Sequence, residues 1–307
     1  MSLRPWICWA LALILTPGAV CAQNAGSRLT LDAANAPDLV FPDAVTPVAE
    51  ANSPRMMLLR PEGEGPFPAV ALAHQCGGLI FNKSNPNAVN WSMLGWAKSF
   101  VQNGYVTLLV DYMDPRGAKS LCSGPENGVT YGRSVKDFMQ SAEHLRKQPD
   151  VDPDRVAMVG FSQGAIIAFL SNSKDVREKM NAGRAFNAYV SYYPLCGYSR
   201  NGVGNFAGEL VQDDMDRPHL VFTGGLDNET PFEDCQKRLN PLIEKGKPIT
   251  YKHFEQATHC FDCKSLNGFT KRGHYGQVTY TFNQEATNQS ATQMFEFLRA
   301  KIGRAHV

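Results

Sequence analysis

The sequence lacks an excess of charge of either sign. Thirty Lys and Arg stand against 29 Asp and Glu, which gives a net charge of +1 with the seven His neutral. Nothing in that balance points to nucleic acid or to an anionic membrane surface. Internal repeats and low-complexity tracts are also missing, which removes solenoids, propellers and disordered arrays. No apolar run reaches the ~20 residues that a membrane-spanning helix needs. What remains is a chain of 307 residues, 43% hydrophobic and 19% charged. This is ordinary for a globular enzyme and long enough for one large core or two small ones.

The first 22 residues read as a targeting segment rather than as part of the fold. Arg4 supplies a positive n-region, Trp6 to Leu15 an apolar h-region, and Pro17-Gly18 a break. Val20-Cys21-Ala22 then offers a cleavage site, so the expectation is a signal peptide at 1–22 with a mature chain from Gln23. An uncleaved anchor is the bland alternative. A lipoprotein reading through Cys21 meets a bulky Val20 where a small residue is wanted. The mature chain keeps Cys76, Cys122, Cys196, Cys235, Cys260 and Cys263. An even cysteine number in an exported protein points to disulfides and to a periplasmic or secreted location. No stable membrane insertion is expected after cleavage. Residues 23–53, rich in Ala, Asn, Pro and Asp, form a lead-in, and 54–303 forms one catalytic-type domain.

Within that domain the informative stretch is Asp154 to Ala165. An apolar run, Val156-Ala157-Met158-Val159, ends in Gly160-Phe161-Ser162-Gln163-Gly164, and Ala165 to Leu170 follows as a buried helix. Strand, sharp turn and helix are the context of a nucleophile elbow. Gly160 and Gly164 let the backbone pass closely on either side of Ser162. The helix N-terminus there favours a developing negative charge. A plain strand-to-helix turn with a serine N-cap is the competing reading.

The rest of the chain alternates strand and helix. Strands are expected at Arg55–Arg60, Ala69–Ala73, Tyr105–Val110, Phe186–Tyr193, Pro218–Thr223 and, as the last one, Ile249–Phe254. Helices are expected at Trp91–Gln102, Tyr131–Lys147, Lys174–Arg184, Phe232–Lys245 and Gln284–Lys301. Residues 201–216 read as a surface excursion. Alternation of this kind predicts an α/β fold, with a largely parallel sheet and helices on both faces.

A serine hydroxyl needs a base, and the base needs an orienting group. In elbow folds these follow in the order Ser, acid, His, in loops beyond the carboxyl ends of strands. Asp227 fits best as the acid, with Glu229 as a second choice in the same loop. His259 fits best as the base. His219 and His253 sit in strands and read as packing residues, and His274 lies in a polar insert. The loop His74-Gln75-Cys76-Gly77-Gly78 follows an early strand. It can leave the Cys76 N–H aimed at a substrate carbonyl, with the Gln163 N–H as the other oxyanion donor; a simple glycine turn is the alternative.

These motifs, together with Asp111–Gly117, Tyr192-Tyr-Pro-Leu-Cys196 and His259-Cys-Phe-Asp262, resemble the dienelactone hydrolase family from about Ala69 to the final helix. The resemblance implies an α/β-hydrolase fold and cleavage of a small carboxylic ester or lactone without metal or cofactor. It also implies nucleophile, acid and histidine at Ser162, Asp227 and His259. Founding members use a cysteine nucleophile in the cytosol, so Ser162 and the signal segment place the likeness with an exported serine branch. A peptidase or acyltransferase on the same scaffold is the nearest enzyme alternative. A binding protein that keeps the fold is the non-enzyme alternative.

The cysteines sort by the loops that carry them. Cys76 and Cys122 follow neighbouring strands, Cys196 and Cys235 follow later ones, and Cys260 and Cys263 remain beside His259. These three pairs are the disulfide candidates, each contributing about 2–4 kcal/mol. A zinc site from His253, His259, Cys260 and Cys263 is the rival. Trp91, Tyr112, Phe161, Tyr192 and Tyr193 either line an apolar pocket or belong to the core. Arg116 either meets a substrate carboxylate or pairs with Asp111 or Asp114.

Overall fold

Alternate side chains of the central strands enter two different cores, and this places the sheet between two helical layers. The computed structural model describes residues 36–81, 89–181, 183–197, 209–273 and 275–303. The expected signal segment with Cys8 and Cys21, the start of the lead-in, and His274 lie outside these residues. The main sheet contains β1 (Met57–Leu59), β2 (Phe67–Ala73), β3 (Val106–Val110), β4 (Val151–Phe161), β5 (Ala188–Tyr192), β6 (His219–Gly224) and β7 (Ile249–Phe254). Their order is β1-β3-β2-β4-β5-β6-β7. Only β1 runs antiparallel to its neighbour. The helices are α1 (Trp91–Gln102), α2 (Tyr131–Arg146), α3 (Gln163–Asn172), α4 (Lys174–Lys179), α5 (Phe232–Glu244) and α6 (Gln284–Ile302).

Strand β2 is buried at every position. Val70 and Leu72, with Val159 and Phe161 of β4, pack with Met93 and Trp96 of α1 and with Met294 and Leu298 of α6. Ala69, Ala71 and Ala73, with Met158, pack with Phe138 of α2 and Ile167 of α3. The period-two alternation therefore serves two apolar faces, as a doubly covered parallel sheet requires. Small alanines fall on the α3 side, where that helix approaches most closely: a Cβ added to Gly164 would overlap the Ala73 carbonyl. None of the helices among the described residues is long and apolar enough to cross a membrane.

Several expectations shift in the structure. Strand β4 starts at Val151 and includes Pro153. Its pairing with β2 slips between Phe67↔Val151 and Ala69↔Val156, so the proline falls where the ladder is interrupted. Helix α4 stops at Lys179 instead of running to Arg184, because Asn181 and Gly183 adopt positive φ. The described part of the 201–216 excursion is not superficial. Leu210 and Met215 are fully buried, and Met215 forms a bridge with Ser173. Strand β7 is the last of the main sheet but not of the chain: β8 (Thr270–Gly273) and β9 (Gly276–Thr279) form a separate antiparallel hairpin.

Arg116 is also placed differently. Asp111 accepts the N–H groups of Met113 and Asp114 at 3.1 and 2.9 Å, which commits its Oδ1 to the turn. The Arg116 guanidinium instead grips Asp137 through two bonds of 2.7 and 2.9 Å, and Arg133 shares that carboxylate. Both arginines also bind the lead-in: Arg116 donates to the Pro37 carbonyl, and Arg133 to that of Ala36 and to Asp38.

Candidate active site

The site is assembled at the carboxyl ends of β2, β4, β5, β6 and β7. Ser162 stands between the end of β4 and the first residue of α3, with φ 52° and ψ −111°. A non-glycine residue in that region is strained, and here the fold holds it. A Cβ at Gly160 would overlap the Gly164 carbonyl, so both glycines are needed for the turn. The Ser162 N–H donates to the Tyr192 carbonyl at 2.9 Å, which fastens the turn to β5.

His259 Nε2 lies 3.0 Å from Ser162 Oγ, and His259 Nδ1 lies 2.8 Å from Asp227 Oδ2. An ionised carboxylate only accepts, so Nδ1 carries the ring proton and Nε2 faces the serine as an acceptor. All three residues are buried, with Ser162 the most exposed at 8%. Asp227 is pinned in turn. Its Oδ1 accepts the N–H groups of Glu229 and Thr230 at 2.9 and 2.8 Å, and its Oδ2 accepts the Thr230 hydroxyl at 2.8 Å. The aspartate is thus a turn-capping residue and a partner of the histidine at once. Sequence reasoning missed Thr230, since a hydroxyl three residues after an acid is a common turn feature with no signature of its own.

Glu229 does not take the place of Asp227. Its Oε2 sits 3.9 Å from His259 Nε2, on the opposite side of the ring. The hairpin holds it there: Lys271 Nζ donates to Oε1 at 2.6 Å and the Tyr280 hydroxyl to Oε2 at 2.7 Å. Burial pushes the Glu229 carboxyl up, but the His259 and Lys271 charges and the Lys271 and Tyr280 hydrogen bonds outweigh this and leave it below its usual value. For His259, burial pushes the pKa down. The charges of Asp227 and Glu229, with the Asp227 hydrogen bond, overcome this and leave it raised, while Lys271 opposes them.

The loop after β2 is tied to its surroundings at both ends of its reach. Cys76 is bonded to Cys122, and the Cys76 carbonyl accepts the Leu121 N–H at 2.8 Å. The Gln75 side chain donates to the Tyr193 hydroxyl at 3.3 Å, accepts from Asn90 at 2.6 Å and lies 3.6 Å from the Cys263 sulfur. Gln163 is the first residue of α3, so its N–H belongs to the turn whose donors have no intrahelical partner.

The other two disulfides join Cys196 to Cys235 and Cys260 to Cys263. In the zinc alternative all four residues would converge. Here the Cys260 and Cys263 sulfurs are bonded to each other, His259 lies between Ser162 and Asp227, and His253 lies against Thr223 and the Phe232 ring. Asp262 lies close to those two sulfurs, but its carboxylate accepts the Trp96 indole and the Tyr193 hydroxyl, both at 2.7 Å. Burial raises its pKa, partly offset by those two bonds. His219 is a packing residue. Its Nε2 meets Ser191 Oγ at 2.8 Å, and burial lowers its pKa to about 3, which keeps it neutral. Tyr112, Phe161, Tyr192 and Tyr193 are core residues, whereas Trp91 is 46% exposed.

A parallel sheet with one antiparallel edge strand, and a serine on a strained strand-to-helix turn facing a histidine and an aspartate from later loops, defines the α/β hydrolases. Within that class the chain belongs to the dienelactone hydrolase family, whose model matches residues 55–302. It is a hydrolase of that family. Among curated proteins it is 26% identical to YtaP of Bacillus subtilis (strain 168), assigned by name to the hydrolases; that match takes in 61% of this chain and 68% of YtaP. It is 25% identical to the thiohydrolase aneE of Aspergillus aculeatus over 60% of this chain and 50% of that protein. The chain therefore spans between half and about two thirds of these relatives. Among solved structures, esterase Est2 of Thermogutta terrifontis with butyrate bound superposes with a TM-score of 0.57 at 17% identity, covering 81% of this chain and 89% of that one. The same esterase phosphorylated by paraoxon gives a TM-score of 0.55, covering 80% and 88%.

Proposed function

We propose that this chain is an exported serine hydrolase that cleaves a carboxylic ester or lactone through Ser162, His259 and Asp227. The observation that carries the reading is the buried hydrogen-bond chain from Ser162 Oγ through His259 to Asp227, with links of 3.0 and 2.8 Å. In the reaction, His259 Nε2 takes the Ser162 proton as Oγ bonds to the substrate carbonyl carbon. Asp227 holds the proton on Nδ1 and stabilises the imidazolium. The Cys76 and Gln163 N–H groups receive the oxyanion, where loss of one such donor costs on the order of 10²–10³ in rate. Collapse expels the alcohol, which takes the proton from Nε2. Water activated by the same nitrogen then hydrolyses the acyl-enzyme.

The structural likeness to an esterase that holds butyrate and is phosphorylated by paraoxon supports serine ester chemistry. The thiohydrolase named among the relatives makes thioesters the second substrate class. Three disulfides and the apolar N-terminal segment support export, with the mature chain starting at Gln23.

Two experiments test this reading. Wild type and Ser162→Ala are assayed on p-nitrophenyl esters of short, long and aromatic acids, and on a thioester and an anilide. Turnover of esters by the wild type, lost in the variant, is expected; equal turnover would refute the nucleophile. Mass spectrometry of the secreted protein should find Gln23 first, and a retained Met1 would refute cleavage.

A further inference from the structure

The β8–β9 hairpin is joined to the loop after β6 by more than packing. The Asn228 side chain donates to the Gln277 carbonyl at 2.6 Å, and Glu229 is held through both oxygens, by Lys271 and by Tyr280. The Tyr280 ring stands 5.6 Å from the His259 ring, and Lys271 Nζ lies 5.4 Å from the Tyr280 ring centre. A carboxylate held at 3.9 Å from Nε2 is too far to accept its proton but near enough for its charge to act. With each oxygen already engaged, Glu229 cannot swing closer without breaking one of those bonds.

We infer that Glu229 is a positioning residue for the hydrolysis, a fixed charge on the Nε2 edge of His259 whose strength is set by Lys271 and Tyr280. The inference rests on the serine-hydrolase reading above. When the Ser162 proton moves to Nε2, the imidazolium gains a carboxylate on each side: Asp227 behind Nδ1 and Glu229 in front of Nε2. Asp227 receives the Nδ1 proton directly and fixes the tautomer. Glu229 bonds to neither nitrogen, so it acts only through its field. Lys271 moderates that field, and because both its contacts and those of Tyr280 come from the hairpin, this insert belongs to the active site.

The groups that face the ring from every neighbouring element define what a pH profile would read. Asp227, Glu229 and the neutral Thr230 come from the loop after β6, and Ser162 from the elbow. Tyr193 comes from the end of β5, with its hydroxyl bonded to Asp262 of the histidine loop; Lys271 and Tyr280 come from the hairpin. Of these, Asp227 and Glu229 favour the charged ring and Lys271 disfavours it. As a general base, His259 must be neutral. Activity therefore falls as pH falls through its pKa, and a raised pKa places that acid limb higher.

The test is the pH profile of kcat/KM with p-nitrophenyl acetate for wild type, Glu229→Gln, Lys271→Met and Ser162→Ala, each checked for an unchanged melting temperature. Glu229→Gln should move the acid limb to lower pH and Lys271→Met should move it to higher pH, each with a plateau within several-fold of wild type. Opposite displacements from two neighbouring substitutions are not produced by loss of structure. Should Glu229→Gln fail to fold, the Lys271→Met displacement alone decides. Acid limbs that stay in place while the plateau falls would overturn the inference and leave the triad standing. A Ser162→Ala variant as active as wild type would instead overturn the reading beneath it.

Discussion

The two sides of the His259 ring come from regions of different character. Behind it, the loop after β6 is short and tightly set. Cβ atoms at Gly224 and Gly225 would overlap the carbonyls of Ala257 and Glu255, so this loop and the one carrying His259 are in backbone contact. Asp227 there is 5% exposed, and three hydrogen bonds from its own loop fix it before the histidine adds another. In front, the hairpin consists of two four-residue strands outside the main sheet. It buries Val278 and Tyr280 but leaves Phe269 and Tyr275 about half exposed. A part that fixes the tautomer and geometry of the base has to be rigid and is built into the parallel sheet. A part that only adjusts the charge around the base can be carried by an appended insert.

This contrast predicts a graded series. Asp227→Asn should have the largest effect, a loss in kcat on the order of 10⁴ with little change in KM, because the tautomer is no longer fixed. If stopped-flow assays with p-nitrophenyl acetate show less than about a tenfold loss, which is far below what a misplaced tautomer costs, Asp227 is not the orienting acid. Thr230→Val should come next, at roughly tenfold in kcat, since it removes one of the hydrogen bonds to the Asp227 carboxylate. An effect as large as that of Asp227→Asn would mean the hydroxyl itself takes part. Tyr280→Phe should be the mildest, under about threefold at the alkaline plateau, as it removes a single bond to a group that acts at a distance. Were it to match Thr230→Val, the front of the ring would be as rigidly required as the back and the contrast would fail.

The same contrast explains what could be read from the chain. Asp227 and His259 can be picked out because each lies in a loop after a strand, the fully buried β6 and the edge strand β7, and the elbow order ranks the acids and histidines after Ser162. Of the three disulfide pairs, Cys76 and Cys122 follow the adjacent strands β2 and β3, Cys260 and Cys263 lie three residues apart in one loop, and Cys196 after β5 meets Cys235 on α5. The hairpin was not legible, because Lys271, Arg272 and Gln277 interrupt its alternation and only Val278 and Tyr280 bring apolar burial. The Gly276 turn followed by Gln277-Val278-Thr279-Tyr280 was the available signal. The partner of Arg116 is not among the acids near it in sequence, because Asp137 lies on α2 and the contact depends on how helix and loop meet in space. In the sequence, Asp262 stands out only as the last residue of His259-Cys-Phe-Asp262. Its burial between the Trp96 and Tyr193 donors follows from three separate elements and has no local pattern.

The most direct test of the account is peptide mass spectrometry after reaction of the wild-type protein with a fluorophosphonate. The account predicts one adduct, on Ser162, formed more slowly as pH falls and lost in both Ser162→Ala and His259→Ala. An adduct on another residue, or labelling of His259→Ala at the wild-type rate, would contradict it.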